Sequence, residues 1–128
     1  MSIKQITPIM VVREIEPCLG FWQKLGFACV AEVPHGERLG FAILVKDGRQ
    51  VMFQSVASVG DDLKLKTPLA AGDVVQYIDV DSLDAVIADL QGTGAEVLLG
   101  PRRTSYGARE IWVELPGGFV AGFAEHQE

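Results

Sequence analysis

The feature that most constrains the fold of this chain is an internal repeat, because the second half reproduces the strand and helix signals of the first half in the same order. Val12 and Gly26 mark the ends of the first strand and the first helix, and Val80 and Gly94 stand at the same spacing in the second half. The turn glycines of the last hairpins align after a two-residue insertion. The repeat predicts two modules of one topology.

Each copy carries the pattern of a strand, a helix and three further strands. Apolar and β-branched runs separated by Gly-containing turns predict antiparallel hairpins. Apolar residues at helical spacing predict the helices, with Pro17 in the first turn of one and Asp81 and Ser82 at the cap of the other. The predicted strands are 5–12, 27–33, 39–45 and 50–55 in the first copy, and 74–80, 95–99, 109–114 and 119–124 in the second.

A chain of 128 residues has the usual size of one compact domain. We therefore expect a single domain over residues 1–128, with a first module at about 3–56, a linker at about 57–73 and a second module at about 74–126. The linker is the long irregular stretch of the chain and has room for one short helix. The predicted fold class is α+β, built from tandem βαβββ modules.

Composition and charge exclude several classes of function. The chain has 11 Lys and Arg against 17 Asp and Glu, a net charge of −6, and no basic cluster that could follow a phosphate backbone, so nucleic acid is not an expected partner. Its apolar runs, such as 9–12, are far shorter than the roughly 20 residues of a membrane span, and no signal-peptide pattern is present. We expect a cytoplasmic protein with no membrane partner, and two buried thiols at Cys18 and Cys29 in preference to a disulfide.

Short motifs at matching places in the two copies carry a family resemblance. They are Val12-Arg-Glu14 followed by Phe21-Trp22 and Leu25-Gly26-Phe27, then Val80-Asp-Ser82 through Gly94, and the turn Leu115-Pro-Gly-Gly118. The chain resembles the vicinal oxygen chelate superfamily, which includes glyoxalase I, extradiol dioxygenases and the bleomycin and fosfomycin resistance proteins. The resemblance implies a curled, cup-shaped mixed β-sheet with helices on its outer face and a ligand or metal site inside the cup.

Enzymes of this family hold a divalent metal through His, Gln or Glu side chains on the first and last strands of each copy. The corresponding positions here are Thr7, Met52, Val75 and Gly122, and none of them offers a His, Gln or acidic ligand. His35 and His126 fall in a predicted turn and near the chain end, where exposed surface histidines are expected. The resemblance therefore implies no bound metal and no cofactor, and we expect no catalytic residues.

The same positions predict the floor of a binding pocket, because side-chain alternation places neighbouring residues on the same sheet face. Aromatic rings on nearby strands and loops could stack on a planar ligand. Five other aromatic residues are expected in the core, namely Phe21, Trp22, Phe27, Phe53 and Phe123. The predicted ligand-binding residues are Thr7, Phe41, Met52, Gln54, Val75, Tyr77, Tyr106 and Trp112.

Three functions remain open at this stage. The leading hypothesis is a metal-independent small-molecule-binding protein resembling the bleomycin-resistance branch, which sequesters a planar or cationic drug and so confers antibiotic resistance. The alternative is a glyoxalase-like or dioxygenase-like metal-dependent lyase or isomerase of the same fold. The third is a protein whose cup has degenerated and which serves as a regulatory or interaction module. A homodimer is expected, because open sheet edges favour a partner copy.

Overall fold

The chain was analysed as a computed structural model, which describes residues 1–63, 65 and 68–126. It divides into two compact units. The first unit is Thr7–Val74, and the second unit is Met1–Ile6 together with Val75–Glu128. The strands are β1 (Ile3–Val12), β2 (Ala28–His35), β3 (Arg38–Lys46), β4 (Arg49–Ser55), β5 (Val74–Val80), β6 (Glu96–Arg103), β7 (Ala108–Glu114) and β8 (Val120–His126), and the helices are α1 (Glu16–Lys24), α2 (Val56–Asp62) and α3 (Leu83–Leu90).

The two units have the same strand order. In the first unit the order is β2-β3-β4-β1, and in the second unit the corresponding strands follow as β6-β7-β8-β5. The first strand of each module runs parallel to the last, β1 with β4 and β5 with β8, and the remaining pairs are antiparallel hairpins. The prediction of α+β class with tandem βαβββ modules is confirmed.

The helices begin where the sequence predicts. Pro17 lies in the first turn of α1, where a missing N–H costs no helical hydrogen bond. Ser82 caps α3 by accepting a hydrogen bond from the Ala85 N–H at 3.2 Å. Ser55 caps α2 in the same way, through the Ser58 N–H at 3.1 Å, and so places one short helix in the predicted linker.

Each sheet buries one face against its helix. In the first unit Ile15, Ala42, Leu44 and Phe53 form this core, with Trp22 and Phe27 packed against it. In the second unit the core residues are Ile78, Val80, Leu83, Val86, Ile111, Val113, Ala121 and Phe123. Alternate strand residues must therefore point to the opposite face of each sheet, where the predicted site residues lie.

Phe21 is a correction to the predicted core. Its side chain is 65% exposed, whereas its neighbour Trp22 packs on the core. Consecutive helical residues point about 100° apart, so α1 cannot turn both rings towards the same sheet. Cys18 and Cys29 are free thiols, and both are half-buried where full burial was expected.

Candidate functional site in the second unit

The first unit carries four of the predicted site residues on the face opposite α1. Gln54 pairs with Phe41 across the hairpin, and Met52 lies two residues before Gln54 on the same strand face. Thr7 is fully buried and accepts a hydrogen bond from the Gln50 amide at 2.9 Å. Gln54 donates to the Ser58 hydroxyl at 3.2 Å. Thr7 and Gln54 therefore form hydrogen bonds with other side chains of the same unit. None of the four predicted residues has a titratable side chain.

The second unit carries the other four predicted residues, and three of them lie on the face opposite α3. Val75 and Tyr77 alternate along β5, and Tyr77, Gly122 and Trp112 form one row across β5, β8 and β7. The Tyr77 and Trp112 rings are 6.2 Å apart between centroids. Tyr106 lies in the loop between β6 and β7, and its side chain is 59% exposed. Tyr77, Trp112 and Tyr106 meet at a residue that the sequence did not single out.

That residue is Glu110, a fully buried carboxylate on β7. One of its oxygens, Oε1, accepts hydrogen bonds from Arg102 Nη2 at 3.1 Å and from Trp112 Nε1 at 3.0 Å. The other oxygen, Oε2, accepts from the hydroxyls of Tyr106 at 2.7 Å and Tyr77 at 3.3 Å. A carboxylate has about four acceptor positions, so these four donors occupy its full capacity. Glu110 thus fixes two aromatic rings and the indole by their polar ends.

A second polar contact extends this network towards the surface. His126 Nε2 lies 3.1 Å from the Tyr77 hydroxyl oxygen and 3.1 Å from Asp79 Oδ1. When Nε2 carries the proton, its N–H is shared between Asp79 Oδ1 and the Tyr77 hydroxyl oxygen, and the Tyr77 hydroxyl donates to Glu110. The His126 ring also stacks on Tyr106, with centroids 6.2 Å apart and planes 29° apart. The His126 side chain is 44% exposed, which agrees with the expected surface position. It is nevertheless part of this hydrogen-bond network.

Burial changes the acidity of two groups in this network. It raises the pKa of the Tyr77 phenol far above its usual value, and the neighbouring Tyr106 and Glu110 raise it further. Burial also raises the pKa of Asp79, while His126 and Lys4 act in the opposite direction. Tyr77 is therefore held as a neutral hydrogen-bond donor at physiological pH, and Asp79 binds its proton more tightly than an exposed aspartate does.

A small cleft of about 250 Å³ opens beside this network. Its lining residues are Lys4, Gln5, Asp79, Val80 and His126, all within the second unit. His126 therefore belongs both to the cleft and to the aromatic stack with Tyr106. Ligand pockets of drug size usually have volumes of about 300 to 1,000 Å³, so the cleft alone suits a substituent or a small molecule.

The residues at the inferred metal positions do not fit a metal. The Thr7 hydroxyl accepts from Gln50, and the thioether of Met52 and the side chain of Val75 are poor ligands for a hard divalent ion. A side chain at Gly122 is blocked, because a Cβ built there would lie 2.7 Å from two ring carbons of Trp112. Among residues 1–63, 65 and 68–126, no three His, Cys, Asp or Glu side chains converge as metal ligands.

Comparison with solved structures supports the fold. A glyoxalase/bleomycin resistance protein/dioxygenase superfamily member from Vibrio splendidus 12B01 is 22% identical with a TM-score of 0.70, covering 97% of this chain and 99% of that one. Methylmalonyl-CoA epimerase from Mycobacterium tuberculosis is 17% identical with a TM-score of 0.66, covering 98% and 88%. The 2,2',3-trihydroxybiphenyl 1,2-dioxygenase from Sphingomonas wittichii strain RW1 is 18% identical with a TM-score of 0.64, covering 93% of this chain and 40% of the larger enzyme.

Three further findings concern related sequences, the membrane and the family. No curated protein sequence is similar enough to count as a match. No helix in the described part of the chain is long and apolar enough to cross a bilayer. The family model for the Glyoxalase/Bleomycin resistance protein/Dioxygenase superfamily matches residues 2–123. Because that match spans nearly the whole chain, the protein belongs to the glyoxalase/bleomycin resistance/dioxygenase superfamily.

Proposed function

We propose that this chain is a metal-independent small-molecule-binding protein that takes up a planar, cationic ligand on the face of the second unit opposite α3. The observation that carries the proposal is the Tyr106 ring. It is 59% exposed, yet its hydroxyl is held at 2.7 Å by a buried carboxylate. A ring fixed before binding offers a stacking surface without the usual cost of ordering a loop side chain.

The charge of the protein favours a cation. The net charge is −6, and Asp79 lies beside the aromatic stack. Stacking of a cation on an aromatic ring contributes about 0.5 to 2 kcal/mol, depending on desolvation. Sequestration of a planar cationic drug, as in the bleomycin-resistance branch that the sequence resembles, is the biological role that we propose for this binding.

The alternative is a metal-dependent lyase or isomerase of the same fold. Among the structural neighbours, an epimerase and a dioxygenase are enzymes by name, but at 17% and 18% identity they support the fold alone. The blocked position at Gly122 argues against a family metal site. Stoichiometric zinc, nickel, iron or manganese in protein purified without added metal would overturn the metal-independent proposal.

A titration with a planar cationic dye, acridine orange, tests the binding site directly. Tyr106→Ala should weaken binding by roughly two- to thirtyfold, the equivalent of 0.5 to 2 kcal/mol. The matched control is Phe119→Ala, because Phe119 is an exposed aromatic residue of the same unit, at 66%. Affinity should also fall as salt rises, since exposed charges are screened beyond about 8 to 10 Å. Equal affinities in the wild type, Tyr106→Ala and Phe119→Ala would place the site elsewhere.

We also propose a homodimer. The strands β2 and β6 lie at the outer edges of the sheets of their own units, and Val30, Val33 and Val97 on these strands are all more than half exposed. Exposed apolar edge strands favour pairing with another chain. Light scattering at micromolar concentration should give twice the chain mass of 13.9 kDa, and a value of one chain mass would contradict the dimer.

A further inference from the structure

The two carboxylates on the ligand face of the second unit differ in what they can still bind. Glu110 is fully buried, and both of its oxygens already accept two hydrogen bonds. A ligand ammonium group could reach it only by displacing Arg102, Trp112 or a tyrosine hydroxyl. Glu110 is therefore a positioning residue, and its charge is used within the protein.

Asp79 is arranged differently. Its side chain is 20% exposed and lines the 250 Å³ cleft, and its Oδ1 is 3.1 Å from His126 Nε2. His126 on β8 and Lys4 on β1 face the Asp79 carboxyl, and both lower its pKa against the larger opposite effect of burial. The hydrogen bond from His126 uses one of about four acceptor positions of the carboxylate, so a cation that enters the cleft can bind to Asp79 as well.

The cleft and the stacking surface share His126. Its ring forms part of the cleft wall and stacks on Tyr106. A ligand lying on the Tyr106 ring therefore has the cleft next to it, and the cleft volume suits a flexible arm better than a ring system. This arrangement defines a ligand shape with a planar ring and a positively charged side arm.

We propose that Asp79 is the specificity-determining residue of the site and that it recognises the ammonium arm of a planar ligand in the cleft beside His126. The proposal rests on the proposed function, since it assumes that a planar ring binds at Tyr106. It names the ligand class as a planar ring with a primary or secondary amine on a short chain.

Two acridine-9-carboxamide probes test this proposal, one with a 3-aminopropyl arm and one with a 3-hydroxypropyl arm. They share one ring and differ in the charge of the arm. Dissociation constants for both are measured by calorimetry on the wild type, Asp79→Asn and Asp84→Asn. Asp84 is the matched control, because its side chain is 81% exposed on α3, which covers the other face of the same sheet. Both variants lose one negative charge.

The wild type should bind the aminopropyl probe about fivefold to tenfold more tightly than the hydroxypropyl probe, as expected for a partly exposed charged hydrogen bond. Asp79→Asn should reduce this preference below twofold, and Asp84→Asn should retain it. Thermal unfolding checks that both variants fold, and the comparison of the two probes on the wild type is independent of any variant.

The outcomes separate this proposal from the proposed function. If both probes bind the wild type equally, or if Asp79→Asn keeps the preference seen in Asp84→Asn, the role of Asp79 is overturned while ring binding stands. If neither probe binds the wild type, ring binding fails, and the role of Asp79 falls with it.

Discussion

The replacement Glu110→Gln tests whether a single carboxylate organises the face of the second unit opposite α3. The amide keeps one carbonyl oxygen and replaces the other oxygen with an NH₂ donor. Arg102 and Trp112 can only donate, so the carbonyl should remain on their side. The NH₂ group then faces the hydroxyls of Tyr77 and Tyr106, which can accept as well as donate.

The expected loss of stability follows from this rearrangement. The Tyr106 hydroxyl can turn to water because its side chain is exposed, and the Tyr77 hydroxyl can donate to the Tyr106 hydroxyl oxygen, with which it forms a side-chain hydrogen bond. No buried donor is then left without an acceptor. The remaining cost is the charge-assisted part of the hydrogen bond with Arg102, about 1 to 3 kcal/mol. Glu110→Leu removes every acceptor, including that of the buried Trp112 N–H, and should cost about 3 to 5 kcal/mol.

Urea unfolding followed by tryptophan fluorescence measures both variants. The control is Glu114→Gln, an exposed glutamate on the same strand, which should change the free energy of unfolding by less than about 0.5 kcal/mol. The reasoning would be refuted by Glu110→Gln matching this control, or by its costing as much as Glu110→Leu. The first result would mean that the negative charge of Glu110 contributes no net stability, and the second that the tyrosines cannot reverse their hydrogen bonds.

Three further predictions concern single groups of the same face. In the variant Tyr106→Phe, Tyr77 is the remaining tyrosine. Because burial raises the pKa of Tyr77, the tyrosinate absorbance at 295 nm should rise only when alkali unfolds the protein. A reversible rise near pH 10 would contradict the burial of Tyr77. Burial also raises the pKa of Asp79 above 3.8, so the folded state binds the carboxyl proton more tightly than the unfolded state does. The protonated carboxyl therefore contributes stability below pH 3.8, and this contribution is lost as pH rises through the folded-state pKa. As pH rises from 3.8 through the folded-state pKa, the urea midpoint of the wild type should therefore fall relative to that of Asp79→Asn. A difference between the two midpoints that stays constant with pH would count against this prediction. Gly122→Ala should cost about 1 to 3 kcal/mol by calorimetric unfolding, because its Cβ would lie 2.7 Å from the Trp112 ring, and the cost should vanish in a Trp112→Ala background.

Sequence reasoning could predict the topology because two independent signals agree in each module. The repeat sets the order of elements, and apolar alternation sets the face to which each strand residue points. That alternation correctly places Met52 and Tyr77 on the faces opposite α1 and α3. It cannot choose between two aromatic rings one position apart on a helix, which is why Phe21 was assigned to the core in error.

The centre of the candidate site was missed for a different reason. A lone glutamate in a strand usually faces water, and Glu110 stands in the run Arg109-Glu-Ile-Trp-Val-Glu114, where either face could be polar. Its parity with Trp112 was the available signal, since residues two apart share a face. The donors that allow its burial come from β5, β6 and a loop, and such a convergence is visible only after the strands are paired. His126 shares its face with Gly122 by the same parity, but its position near the chain end suggested a tail.

The side chains around β8 show how position 122 is closed to a larger side chain while the same face of the second unit stays polar. Gly122 and Ala124 are the small residues of β8 on that face, each between a β5 residue and a β7 residue. The space beside Gly122 is filled by the Trp112 indole, whose N–H requires a buried acceptor. Glu110 supplies that acceptor beside Ala124, and its remaining capacity orients Tyr77 and Tyr106. A glutamate at position 122 would have to displace the indole and leave Glu110 with an unused acceptor. A metal ligand at position 122 and the Trp112–Glu110 arrangement are therefore mutually exclusive ways of filling the same space.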